Sequence, residues 1–255
     1  MVTKIFKDNW SRYFEKDNAA YLVNGRTAIE KALQLLGSKC VALPTYTCSR
    51  VYEAILNADC KPRIIDCRND LQIDHKSVTN FKDVDTVIVP HMFGIRAQEQ
   101  IAYLKAKGYL VIEDCSQCFG LEGLGKYSDV VVASIGPTKW LPIGVDKESG
   151  GGIIAYNGKD IEWHNNPTAI HRANVMFQDI DKMYHSRKER VEELKNTGLN
   201  FIGDNQENAW MRAMYFTDNQ KRIPYTPLHD KYGGFDCPNI DNIKNNLEWV
   251  SIYPA

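Results

Sequence analysis

The chain has 255 residues, 44% of them hydrophobic and 25% charged, with a formal net charge of -1 at pH 7. It is therefore long enough for one large domain or one and a half, and its make-up is that of an ordinary globular protein. That charge balance offers no basic footprint for nucleic acid, and no apolar run approaches the roughly 20 residues that a membrane helix needs.

The opening, Met1 to Lys7, lacks the apolar core of a secretion signal. The seven cysteines are an odd number in a chain too large to depend on disulfide staples, which suits a reducing compartment. Both features point to the cytoplasm.

Residues 1–20 are polar with Trp10, Tyr13 and Phe14 interspersed, and read as a short helix or arm lying on the body. From Thr27 the spacing Ala28, Ile29, Ala32, Leu33, Leu35, Leu36 is helical and ends at Gly37. The unpaired amides and the dipole at that helix start, Asn24 to Thr27, suit an anion such as phosphate. An ordinary Asn or Thr cap is the alternative use of the same residues.

Val41 to Leu43 is a brief strand, Pro44 to Ser49 a loop and Val51 to Asn57 a helix. Arg63 to Asp66 is a further strand, followed by a polar connection from Arg68 to Asp85. Thr86 to Val89 is strand-like and is followed by His91 to Gly94, where His91 reads either as a ligand contact or as a histidine packed at a strand end. Gln98 to Lys107 is a helix, and strands alternating with helices argue for parallel pairing through βαβ units.

Tyr109 to Ile112 runs into Glu113, Asp114, Cys115, Ser116 and Gln117, which places a carboxylate where a strand should emerge. Cys115 and Cys118 form a C-x-x-C with no second pair and no histidine spacing to complete a metal tetrad, so they read as two small buried thiols. Val130 to Ala133 is a strand that stops at Ser134, Ile135, Gly136, Pro137, Thr138 and Lys139. Gly144 and Gly150 to Gly152 follow, and Ile153 to Tyr156 is a return strand.

In open α/β sheets ligands sit outside the carboxyl ends of the strands, so Asp114 and Lys139 are expected to face one crevice. An amine held off bulk water can attack a carbonyl. A buried carboxylate with such a lysine is the pair a pyridoxal phosphate site needs: the acid keeps the pyridine nitrogen protonated and the lysine carries the cofactor. The alternative for Lys139 is an ordinary solvated lysine. Beyond Tyr156, Ala173 to Leu194 reads as one long amphipathic helix, Phe201 to Gly203 and Met214 to Thr217 as strands, and Ile240 to Leu247 as a helix.

Glu113 to Gln117, Ser134 with Lys139, and the glycine cluster together resemble the sugar aminotransferases of the DegT/DnrJ/EryC1/StrS family. The likeness extends to Asn24 to Ile29, Leu43 to Cys48, Val89 to Gly94, Pro227 to His229 and the terminal Ser251, Ile252, Tyr253 and Pro254. The resemblance implies an α/β, fold-type I pyridoxal phosphate enzyme with a mixed, mostly parallel sheet and flanking helices. Residues 1–156 would form the cofactor-binding domain with a short N-terminal arm, and residues 157–255 a reduced α+β domain.

By the same resemblance Lys139 holds the cofactor and then shuttles a proton, and Asp114 pairs with the pyridinium. Gln117 bonds near the ring hydroxyl, and Ser134 with Gly25, Arg26 and Thr27 holds the phosphate. Arg26 stands where many relatives have a small hydroxyl residue. Many relatives also stack an aromatic from the Pro44 to Ser49 loop on the ring; here either Tyr46 or Cys48 takes that place. Asn166 and Arg172 give no clear match to the family's Asn-x-Arg segment.

The implied reaction moves an amino group from an amino-acid donor, usually glutamate, to a keto-sugar acceptor carried on a nucleotide, in a homodimer. Two other readings stand beside it. One is a different pyridoxal phosphate reaction on this fold, such as a dehydratase or a cysteine desulfurase; the other is a non-catalytic relative acting in binding or assembly.

Overall fold

The computed structural model describes residues 1–143, 150–204, 206–217, 226–233, 235–250 and 252. Gly144 of the glycine run and the terminal Ser251, Tyr253 and Pro254 lie outside the described residues.

Helix α1 (Val2–Tyr13) is the N-terminal arm, and it turns Phe6 and Trp10 inward. Both are fully buried among Phe14, Tyr21, Phe119 and Ala173. Burying an aromatic of that size contributes roughly 1.5–3 kcal/mol, enough to hold an otherwise polar arm in place. Strand β1 (Asn18–Leu22) follows directly and is buried throughout. The reading of residues 1–20 as a polar arm did not anticipate it, because Asn18-Ala-Ala is too short and too weakly apolar to stand out.

Helix α2 (Gly25–Leu36) starts at Asn24, an extended residue whose side chain accepts the Thr27 amide, and stops at Gly37 in the left-handed conformation with φ +64°. Then come β2 (Cys40–Pro44), α3 (Ser49–Asn57), β3 (Lys61–Ile65), β4 (Thr86–Pro90), α4 (Gln98–Ala106), β5 (Leu110–Asp114), β6 (Val130–Ile135) and β7 (Gly151–Tyr156).

These strands make one 7-stranded sheet in the order β1-β7-β6-β5-β4-β2-β3. From β3 across to β6 the pairing is parallel. The pairs β6–β7 and β7–β1 are antiparallel. Two reversals in succession leave β1 running with β6, so the ends of β1, β2, β5 and β6 emerge at the same edge. There the register sets Gly152 opposite both Leu22 and Ser134. The return strand expected after the glycines is thus β7, and the sheet is mixed and mostly parallel with helices on its faces.

Three expectations beyond Tyr156 are corrected. The single helix from Ala173 to Leu194 is two, α5 (Pro167–Phe177) and α6 (Ile180–Lys195). The chain turns at Gln178 and Asp179, and α6 restarts with Asp181 in its first turn, where a carboxylate suits the helix dipole.

Strand β8 (Ala213–Phe216) forms, but Phe201 makes only an isolated bridge to Tyr215, since Gly203 at φ +77° turns the chain away. After α7 (Leu228–Tyr232), the helix expected from Ile240 to Leu247 starts earlier as α8 (Pro238–Ile243) and finishes as a 3-10 turn, Lys244–Asn246, so that only Leu247 falls outside it. Alternation in Leu247-Glu-Trp-Val makes β9 (Leu247–Val250), paired antiparallel with β8.

Candidate active site

The sheet edge where β1, β2, β5 and β6 end opens into a cavity of about 360 Å³. Asp114, the last residue of β5, lines it together with Lys139 from the loop after β6. Ser134, Gln117, Gly25, Arg26 and Cys48 line it too. The two other expected residues, Thr27 and Tyr46, are not in its wall. Thr27 serves the helix cap, giving both its amide and its hydroxyl to the Asn24 side chain at 2.9 and 3.2 Å. Tyr46 is fully buried with its ring 6.0 Å from that of Phe93. Of the two residues weighed for the ring face, Cys48 is the one at the cavity.

Each side chain is held by local chemistry. Asp114 is buried, and its Oδ1 accepts the Ser116 amide at 2.9 Å. Ser116 Oγ in turn accepts the Ser134 amide at 2.8 Å, which ties the loop after β5 to β6. The Gln117 carbonyl oxygen accepts the Phe93 amide at 3.0 Å, so its NH2 end remains the donor. Lys139 is half-buried, and its amide donates to Gly136 O at 2.9 Å in the turn that presents it.

The glycines explain how a helix start reaches the sheet. A β-carbon on Gly25 would sit 2.6 Å from Ser134 Cβ, and one on Gly152 would sit 2.2 Å from Asn24 O. Neither position admits a side chain. Because Asn24 takes the Thr27 amide, the amides of Gly25 and Arg26 are the open donors of the first turn. The Arg26 guanidinium leans toward Glu30 and Glu53, at 3.8 and 3.7 Å.

The loop after β2 is held from the C-terminal part of the chain. The Leu228 amide donates to Thr45 O at 2.7 Å, and Thr45 Oγ1 lies 2.6 Å from His229 Nδ1. Sequence reasoning assigned no role in the site to Ser116, Thr47 and Arg50, which also line the cavity. Ser116 was visible inside the Glu-Asp-Cys-Ser-Gln motif. Arg50 was recoverable only by asking which residues open α3.

His91 is not in the cavity wall. It is fully buried, with Nδ1 accepting the Ala97 amide at 2.9 Å and Nε2 at 2.8 Å from Glu113 Oε1. Of its two readings, packing at the strand end is the one realised. His91, Glu113 and Cys115 do gather closely enough to suggest a metal, but the His91 and Glu113 ligand atoms are already engaged in hydrogen bonds within the protein. Burial, then the neighbouring Glu113 carboxylate, pushes the Cys115 thiol well up; burial does the same to Cys118. Two inert thiols are what remains of the C-x-x-C.

Residues 2–187 match the DegT/DnrJ/EryC1/StrS aminotransferase family. Protein MosB of Rhizobium meliloti is 32% identical over 175 residues, covering 62% of this chain and 33% of that protein. The chain therefore spans about a third of the length of that curated relative. A crystal structure of 3-amino-5-hydroxybenzoic acid synthase superposes with a TM-score of 0.82 at 15% identity, over 98% of this chain and 85% of that one. The Spr1654 protein of Streptococcus pneumoniae, in its PMP form, gives 0.81 at 14% identity over 99% and 87%. The ntda protein of Bacillus subtilis, with bound cofactor pmp, gives 0.78 at 18% over 97% and 71%.

Sheet order, crossing helices and these superpositions define a fold-type I architecture of the pyridoxal phosphate enzymes. With its match running from α1 into α6, the chain belongs to the DegT/DnrJ/EryC1/StrS aminotransferase family.

Proposed function

We propose that this chain is a pyridoxal phosphate-dependent aminotransferase that takes an amino group from an amino acid, glutamate by preference, and delivers it to a keto sugar linked to a nucleotide. The observation that carries this reading is the meeting of Lys139 and Asp114 in one cavity. The donor set fits the cofactor. A buried carboxylate suits a pyridinium, an amine suits an aldehyde, and the Gly25 and Arg26 amides with Ser134 suit a phosphate at a helix start that no side chain can fill.

When bound, pyridoxal phosphate supplies an electron sink that makes the α-proton of an amino acid removable. Asp114 would pair with the ring nitrogen, steadied by the Ser116 amide. Gln117 would donate toward the ring hydroxyl from the NH2 end of an amide fixed by Phe93. Lys139 Nζ would bind the cofactor and then move a proton as general base and acid. Cys48, a small residue where many relatives place an aromatic, would stand at the ring face.

Residues 1–156, whose sheet closes with β7, are proposed as the cofactor-binding unit and residues 157–255 as a reduced second unit. A homodimer is proposed from the family habit of building sites between subunits. Seven free cysteines support a reducing cytoplasm, and among the described residues no helix is long and apolar enough to cross a membrane.

An absorbance scan of the purified protein incubated with pyridoxal phosphate tests the reading. A yellow band that borohydride fixes, that Lys139→Ala abolishes and that glutamate converts supports it. A protein that takes up no cofactor overturns it. A band indifferent to every amino donor and unproductive with keto-sugar nucleotides favours another reaction on this fold or a non-catalytic relative.

A further inference from the structure

The start of α3 forms one wall of the cavity, and apart from Cys48 its residues take no part in the cofactor contacts above. Thr47 is only 2% exposed yet lines the cavity, and its hydroxyl has no hydrogen-bond partner among the described residues. Cys48 stands at the N-cap of α3 and makes no side-chain capping bond. The Val51 amide reaches Cys48 O at 2.9 Å, which leaves the Ser49 and Arg50 amides as the open donors of this 9-residue helix.

Arg50 lines the same wall, and its guanidinium is tethered to Glu53, which lies outside the lining. One N–H of the fork is committed to that tether, and a guanidinium carries five. A buried hydroxyl, helix-start amides and an anchored guanidinium together describe a place for an anion.

Resting on the aminotransferase reading of this cavity, we propose that the α3 start is a second anion subsite, separate from the phosphate seat at α2, and that it takes a carboxylate of the amino-acid donor. Charge favours a carboxylate over a diphosphate. Arg26 and Arg50 are already balanced by Glu30 and Glu53, so a single added negative charge is better tolerated than two or three. Placement agrees: the subsite and Lys139 line one cavity, which suits an amino acid whose carboxylate lies a few bonds from the reacting carbon. Planar, forked recognition by Arg50 also matches a carboxylate.

The test uses the cofactor-loaded protein, with loading verified by the borohydride-fixed band. Wild type, Arg50→Ala and Thr47→Val are titrated calorimetrically with glutarate, a dicarboxylate with no amino group to react, and separately with inorganic pyrophosphate. Arg50 is 65% exposed on its side chain, so its truncation leaves the fold intact, and Thr47→Val keeps the buried shape.

Glutarate is expected to bind wild type, about tenfold or more weakly to Arg50→Ala and severalfold more weakly to Thr47→Val, with the band unchanged in all three. No glutarate binding, or binding indifferent to Arg50, overturns the subsite. Pyrophosphate binding tighter than glutarate and lost with Arg50 overturns the carboxylate assignment. Failure to load cofactor overturns the aminotransferase reading and the donor assignment with it, and is seen before any titration begins.

Discussion

Gly25 and Ser134 approach so closely that the first turn of α2 is in effect packed backbone against the end of β6: a β-carbon on Gly25 would stand 2.6 Å from Ser134 Cβ and 3.1 Å from its Cα. This contact brings helix amides and a sheet-borne hydroxyl into one cavity. Gly25→Ala must push α2 off the sheet. Overpacking of this kind costs roughly 1–3 kcal/mol, so the urea midpoint should drop. Pyridoxal phosphate should also bind more weakly, because the amides move with the helix. An alanine variant with wild-type stability and cofactor affinity would show that the approach has slack the geometry does not reveal.

The Glu113 carboxylate, one residue before Asp114 on β5, is fully buried and accepts from donors on several elements. They are His91 Nε2 at 2.8 Å, Gln98 Nε2 at 2.7 Å, the Gly125 amide at 2.9 Å and Ser128 Oγ at 2.8 Å. Glu113→Gln keeps the shape but turns an NH2 group toward groups that donate. Stranding buried donors should cost about 2–4 kcal/mol. Thermal unfolding of the variant measures it, and a shift within error would mean that the network reorganises at no cost.

Much of the parallel sheet was legible because its strands are apolar runs cut off by turn residues, and the pair Asp114 and Lys139 was legible because each follows such a run. What escaped notice depends on contacts far apart in sequence. β1 is a strand because α1 and α2 cover it, not because Asn18-Ala-Ala-Tyr-Leu favours one. The division of Ala173 to Leu194 into two helices leaves no Gly or Pro as a mark. Thr47 and Arg50 follow a loop that Leu228 and His229 hold at Thr45, more than 180 residues away in the chain. Local propensity carries no information on such a tether.

That tether has a pH signature. Asp241 Oδ1 lies 3.0 Å from His229 Nε2 and 2.6 Å from Lys244 Nζ, and its carboxyl is held below the ordinary range first by Lys244 and then by His229. A folded chain that binds this proton less readily than the unfolded one gains stability that is complete above about pH 4. The gain disappears as the pH falls through the lowered folded value. Asp241 is well exposed, so the effect is modest. Wild type should be more stable than Asp241→Asn near neutrality, and the gap should close in acid. A gap that stays constant from pH 7 down to pH 3 in denaturant titrations would rule out the carboxylate as its source.

Lys139 is held in place from the C-terminal part of the chain through its neighbour. Arg187, buried on α6, donates to Trp140 O at 3.0 Å and Trp210 O at 3.4 Å, with its guanidinium 4.4 Å over the Trp140 ring. Trp140 Nε1 donates to Ala209 O at 2.8 Å, so the indole is gripped at both ends. Arg187→Met fills a similar volume but leaves two buried carbonyls short of a donor and removes the cation over the ring. Those losses add to roughly 2–4 kcal/mol.

Arg187 acts through Trp140 and touches no reacting group, so stability alone does not test its positioning role. The readout is the fraction of bound pyridoxal phosphate that borohydride fixes to Lys139 at equal cofactor occupancy. That fraction should fall in Arg187→Met and be partly restored in Arg187→Lys, which returns one donor and the charge. A methionine variant with a lowered melting temperature but a wild-type fixed fraction would confine Arg187 to the packing of α6 and remove it from the presentation of Lys139.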